Sequence, residues 1–223
     1  LIVSVDWCQR HELLRLNIPL ASAAVRLAAD TSGGVIERPA HPQTPGEQER
    51  WEVPAISWLA SQAKAPGGGI AVLLDGPQGV DGATDRLGVS LLRGATWPDP
   101  SADQGQQRMR MALMPFQGSW AHAAVPQAAI AFREPGWHGP IAAGQHQASM
   151  GTCCWLPAIP RRLCPIALRP DANGVVLQLL NPGASRCRWQ PGEGWKVGRS
   201  VAADDWVELA PGELVELRLA QSS

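Results

Sequence analysis

Carboxylate pairs, closely spaced histidines and an exposed serine nucleophile are the patterns that would mark a hydrolytic centre in this chain. Twenty acidic residues make carboxylate pairs easy to propose and none of them specific. Asp204-Asp205 reads as a solvated turn. Asp99 and Asp103 stand out more, because they sit on a long loop after a strand, where functional groups concentrate. The same Asp-Pro context also favours Asx-turn capping, so both readings stay open. The five histidines, His11, His41, His122, His138 and His146, include no pair at metal-ligating helical spacing. His41 lies in the proline-locked segment Pro39-Ala40-His41-Pro42 after a strand, as a binding group or as a solvated one. The Gly-x-Ser-x-Gly pattern of serine hydrolases is absent. Gly67-Gly68-Gly69 lacks the Lys-Ser/Thr and the helix of a phosphate loop.

The elements that must position these groups read as strands. Short apolar runs recur between Gly, Pro, Asn and Asp clusters. Strands are expected at 1–5, 13–18, 23–27, 69–74, 87–92, 109–114, 174–180 and 214–219. In the last of these, Val215, Leu217 and Leu219 alternate with Leu214, Glu216 and Arg218, the period of a half-buried strand. Met109, Met111 and Leu113 alternate with Arg108, Arg110 and Ala112 in the same way. Turns are expected at Pro66–Gly69, Asp75-Gly76-Pro77, Asp81-Gly82, Asn173-Gly174, Asn181-Pro182-Gly183 and Pro211-Gly212. Residues 134–162 are rich in turn formers and small polar residues, a loop-heavy crossing between two β regions.

Composition narrows the function classes. The formal net charge is -1 and the basic residues are scattered, which argues against a nucleic-acid partner. No apolar run approaches the roughly 18 residues of a membrane helix, and no basic amphipathic helix suits a membrane surface. Cys8, Cys153, Cys154, Cys164 and Cys187 are odd in number and irregular in spacing. They read as reduced thiols, and so as a cytoplasmic protein, rather than as a disulfide framework. Ten tryptophans stand against two phenylalanines and no tyrosine. Tryptophan serves both β cores and sugar-stacking platforms. The chain opens in strand-like sequence without methionine, which reads as a fragment excised from a longer protein or as a trimmed or processed terminus.

Several stretches, in order along almost the whole chain, resemble the C-terminal half of glycoside hydrolase family 38, the α-mannosidases. They are Asp6-Trp7 with His11–Leu16, Ile36–His41, Arg50–Pro54 with Trp58, Gly69–Asp75, and Leu87–Arg93 followed by Pro98-Asp99-Pro100 and Ala102–Gly105. Ala112–Pro115 with Gly118-Ser119-Trp120 follows, then Val176–Pro182 and Pro211-Gly212-Glu213. The chain departs from the family pattern at Gln43–Glu47, Pro77–Gly79, Gln107 (where many relatives have His) and Pro115-Phe116 (where they have Pro-His).

The resemblance implies an all-β fold: a large antiparallel β-sandwich of the supersandwich, galactose-mutarotase-like type over 1–150, then a smaller β-sandwich over 151–223. It implies that the nucleophilic aspartate and the zinc ligands belong to an N-terminal barrel that is not in this sequence, so this chain carries no catalytic residue and no cofactor of its own. The expected role is an accessory wall of the cleft of an enzyme that hydrolyses α-mannosides, with the barrel as its partner in cis. Arg38, His41, Asp75, Asp99, Asp103 and Gln104 are the expected wall residues, bonding sugar hydroxyls or the domain interface. The competing classes are a stand-alone carbohydrate-binding module, with Trp51, Trp58, Trp97, Trp120 and Trp137 as stacking platforms, and a purely structural interaction domain.

Overall fold

The computed structural model describes residues 1–64, 66–134, 156–172, 174–192, 195–198 and 206–221. Asn173, Trp137, His138, His146, Cys153, Cys154, Asp204 and Asp205, and the expected boundary at residue 150, lie outside these described residues. The chain divides into two compact units, Leu1–Arg133 and Glu134–Ser223.

The first unit contains β1 (Ile2–Trp7), β2 (Leu14–Pro19), β3 (Ala24–Thr31), β4 (Gly34–Pro39), the single helical turn α1 (Pro45–Gln48), β5 (Val53–Pro54), β6 (Trp58–Ala63), β7 (Gly69–Asp75), β8 (Gly79–Gly82), β9 (Arg86–Leu92), β10 (Gly105–Phe116) and α2 (Val125–Arg133). Its strands form a six-stranded sheet, β1-β10-β7-β6-β3-β4, and a four-stranded sheet, β2-β9-β8-β5, antiparallel throughout. Leu59, Val72, Leu74 and Met111 of the first sheet pack against Ile18, Val80, Leu87 and Val89 of the second. The all-β sandwich class expected from the sequence is the class this chain adopts.

The six-stranded sheet is covered on its other face as well. Ala28, Ala60 and Ala71 keep that face shallow, and Trp58, Trp120 and the α2 residues Val125 and Ala129 close over it. Burial on both faces explains why β7 reads as a continuous apolar run rather than an alternating one. In β10, Met109 and Met111 are buried as expected, but Leu113 is 47% exposed. The opposite parity, Ala112, Met114 and Phe116, packs on the cluster beneath α2. The α2 helix itself is missed by strand-pattern reading, because only Val125, Pro126 and Ala129 of it are buried.

The second unit contains β11 (Cys164–Asp171), β12 (Gly174–Leu180), β13 (Cys187–Trp189), β14 (Trp195–Val197), β15 (Val207–Leu209) and β16 (Leu214–Gln221). The order β11-β12-β16-β14 makes one sheet, and β13-β15 a small second one. Leu177, Leu179, Val215, Leu217 and Leu219 of the first bury against Trp189, Val207 and Leu209 of the second. The alternation predicted for 214–219 is therefore the packing that occurs. Among the described residues no helix is long and apolar enough to cross a membrane.

Candidate functional site

The four-stranded sheet of the first unit turns Leu87 and Val89 inward, so period-two alternation sends Arg86, Gly88 and Ser90 outward. The same parity sends out Arg15 on β2 and Gly79 and Asp81 on β8, whose neighbours Leu16 and Val80 face the core. Asp81 is 3% exposed. Its carboxylate takes Arg15 on one oxygen and Arg86 on the other, the second at 2.7 Å. Arg15 in turn approaches Glu52 at 3.9 Å and lies 5.5 Å from the centre of the Trp51 ring.

Two glycines make this charged layer fit. Gly88 pairs with Asp81 across the sheet, and a Cβ there would overlap the Asp81 carboxylate. A Cβ at Gly79 would come within 2.5 Å of the Glu52 carboxylate and 3.1 Å of Ser90. Both residues are glycine because a side chain lies flat over the backbone, not because a turn is needed. Asp81-Gly82 is thus not the turn expected from its sequence. It lies inside β8, since tertiary charge pairing and strand pairing override the local turn preference.

Beside this layer runs a groove of about 800 Å³. Its floor includes Ser90 and Leu92, one side is Trp51 and Glu52, another is His11–Leu13, and the last is the segment 95–97. That last wall belongs to the connection between β9 and β10, which is braced from within. Asp103, with φ +64, accepts hydrogen bonds from the backbone N–H groups of Arg93 and Gly94 at 2.8 and 2.9 Å. Aspartate is among the few residues that tolerate this left-handed backbone. Gln104 donates to the carbonyl of Gln9 at 2.8 Å. Gln107 donates to the carbonyls of Asp103 and Gln104. Asp99 accepts from the N–H and hydroxyl of Ser101, and these two bonds hold its carboxyl below the usual carboxylate range.

The six expected wall residues do not converge on one point. Asp103 lines the groove just described. Arg38 lines a second groove of about 520 Å³ with Asp81 and Arg86, and Trp51 borders both. Arg38 Nη1 donates to the Arg50 carbonyl at 3.0 Å, while Nη2 is buried with no hydrogen-bond partner. Burial lowers the Arg38 pKa, against the opposing pull of Asp81. His41 is exposed on the segment between β4 and α1. Asp75 ends β7 in an ion pair with Arg110 at 2.8 Å, on the other sheet. Gln104 and Asp99 serve the connection itself.

Of the expected stacking platforms, Trp58 and Trp120 are core residues instead. They are 1% and 5% exposed, with ring centres 5.2 Å apart, because both close the outer face of the six-stranded sheet. Trp137 lies outside the described residues. Trp51 and Trp97 are 58% and 84% exposed, and both line the larger groove. The sequence reading missed Arg15, Glu52, Asp81 and Ser90. The one signal for them was parity: Asp81 sits one residue from Val80 and Ser90 one from Val89.

Comparison with known proteins places this architecture. Residues 1–101 match the model of the glycosyl hydrolases family 38 C-terminal domain. The chain is 33% identical over 131 residues to alpha-mannosidase 2C1 of Homo sapiens, covering 59% of this chain and 12% of that protein. It is 31% identical over 122 residues to alpha-mannosidase G of Dictyostelium discoideum, covering 55% of this chain and 11% of that one. The chain therefore spans only about an eighth of the length of these relatives. The fold is that of an alpha-mannosidase from Enterococcus faecalis V583, with a TM-score of 0.75 at 16% identity, over 97% of this chain and 27% of that one. Family match and sequence resemblance coincide over residues 1–101, which are similar to the glycosyl hydrolases family 38 C-terminal domain.

Proposed function

We propose that this chain is the accessory, C-terminal substrate-cleft region of an α-mannosidase-like hydrolase that cleaves α-mannosides. One observation carries the reading: the family match covers β1 to β9 of the sandwich that bears the groove, including every groove residue named above except Asp103. On this reading an N-terminal barrel in cis supplies the nucleophile and the zinc. Among the described residues no group of three or more His, Cys, Asp or Glu could hold a metal ion. Arg38, with its free buried Nη2, is a direct contact for a sugar hydroxyl, and His41 and Asp75 are assigned to the same wall. Asp99, Asp103 and Gln104 act by holding the connection between β9 and β10 in shape. The large sandwich is taken to run to about residue 150 and the smaller one from there. A cytoplasmic location is supported by the free thiols Cys8, Cys164 and Cys187.

The test is hydrolysis of a chromogenic α-mannoside by the 223-residue chain and by a longer protein that adds the barrel. Turnover is expected only with the barrel present, because positioned charges supply most of such a rate enhancement. Equal turnover by both proteins overturns the assignment.

A further inference from the structure

We propose that the larger groove of the first unit binds a neutral hexopyranose unit of a glycan, with Trp97 and Trp51 as stacking faces and Ser90 and Glu52 as hydroxyl partners. The proposal rests on the reading of the chain as part of a glycan-cleaving protein, and it names a binding site and its ligand class.

Three observations converge. Trp97 and Trp51 are 84% and 58% exposed and line the same groove. Exposed indoles sharing one concave site are the arrangement that accepts the C–H face of a pyranose. Trp51 is also held in place, with the Arg15 guanidinium 5.5 Å from its ring centre and Arg15 itself anchored on Asp81. A preorganised ring loses little freedom on binding. The second observation is the Ser90 hydroxyl, which is buried in the floor with no hydrogen-bond partner. A buried hydroxyl without a partner calls for a ligand group or a water. Charge is the third. Glu12, Glu52 and Asp103 face the groove against Arg93, so an anionic ligand such as a phosphate ester is disfavoured and a polyhydroxylated neutral one is not. The volume of about 800 Å³ is that of a small-ligand cleft.

Saturation-transfer NMR on the 223-residue chain tests this, with methyl α-D-mannopyranoside and methyl β-D-galactopyranoside as separate probes. Saturable transfer is expected, with affinity falling about tenfold in Trp97→Ala and less in Trp97→Phe, which keeps a ring. Ser90→Ala provides a second variant that leaves both indoles in place and should also weaken binding. Absence of saturable transfer from both sugars overturns the proposal, as does binding that Trp97→Ala and Ser90→Ala both leave unchanged. Equal binding of the two sugars through Trp97 upholds the groove as a pyranose site while removing its support for α-mannoside selectivity. Loss of sugar binding alongside retained α-mannoside turnover by the longer protein overturns the groove alone.

Discussion

The two units handle polar groups on their sheets in opposite ways. In the first, Asp81 is buried beneath Arg15 and Arg86, and Gly88 and Gly79 clear the space above the backbone. In the second, the pairs Arg169–Glu216, Arg186–Glu208 and Arg188–Glu208 stand on the surface, and the one buried polar residue of its described part is neutral. That residue is Asn181, 1% exposed. Its amide donates to the carbonyls of Ser185, Leu209 and Ala210, and its carbonyl oxygen accepts from the N–H of Gly183. A buried neutral amide needs only local backbone partners. A buried carboxylate needs cations from other strands and backbone cleared of Cβ atoms. The first unit carries that more demanding arrangement beside its groove, where Arg15 fixes Trp51. The charged layer thus anchors Arg15 beside Trp51, the proposed stacking face, whereas the pairs of the second unit lie exposed on its surface.

Gly88→Ala should break this contrast most severely. Its methyl group would displace the Asp81 carboxylate and leave two arginines uncompensated. A loss of about 3 kcal/mol or more is expected in urea unfolding of the first unit. Near-parental stability would show that the layer is a solvated surface like that of the second unit. Asn181→Ala comes next. It removes the side-chain partner of the Ser185, Leu209 and Ala210 carbonyls and of the Gly183 N–H, for about 2 kcal/mol. A cost equal to that of Gly88→Ala would erase the distinction between charged and neutral burial.

Glu216→Gln should have the smallest effect, with no measurable change in unfolding midpoint at neutral pH, since exposed pairs contribute little. Hydrogen bonds from Arg169 and Gln178 hold the Glu216 carboxyl below its ordinary value. A lowered folded-state pKa adds stability above the ordinary carboxylate range and loses it as pH falls through the lowered value. Any difference between parent and Glu216→Gln should therefore shrink on acidification below about pH 4. A difference that grows instead would mean the pairing is not what depresses the pKa.

Much of the fold was legible in the sequence because it depends on local rules. The alternation of Val215, Leu217 and Leu219, the apolar runs at 69–74 and 87–92, and the turn formers between them require only period-two geometry and backbone preference. The connection carrying Asp99 and Asp103 was also visible as a long polar loop after a strand. The family resemblance rested on the same stretches.

The site was legible only in part. Sequence could mark ten tryptophans but not separate Trp58 and Trp120, which close a sheet face, from Trp51 and Trp97, which border a groove. Aromatic side chains serve core and surface equally well, and only packing partners distinguish the two. Asp81-Gly82 carried a turn signal that two cross-strand arginines override. Nothing in the sequence marked Gly79 and Gly88, although each is a cleared space above which a carboxylate lies. What sequence determined by itself was where β1, β2, β3, β7, β9, β10, β12 and β16 fall along the chain and the parity of β16, because both follow from the chain's own geometry. Which outward-facing residues meet was decided by tertiary structure alone, since Arg15, Glu52, Asp81, Arg86 and Ser90 become neighbours only when β2, β9, β8 and β5 lie side by side.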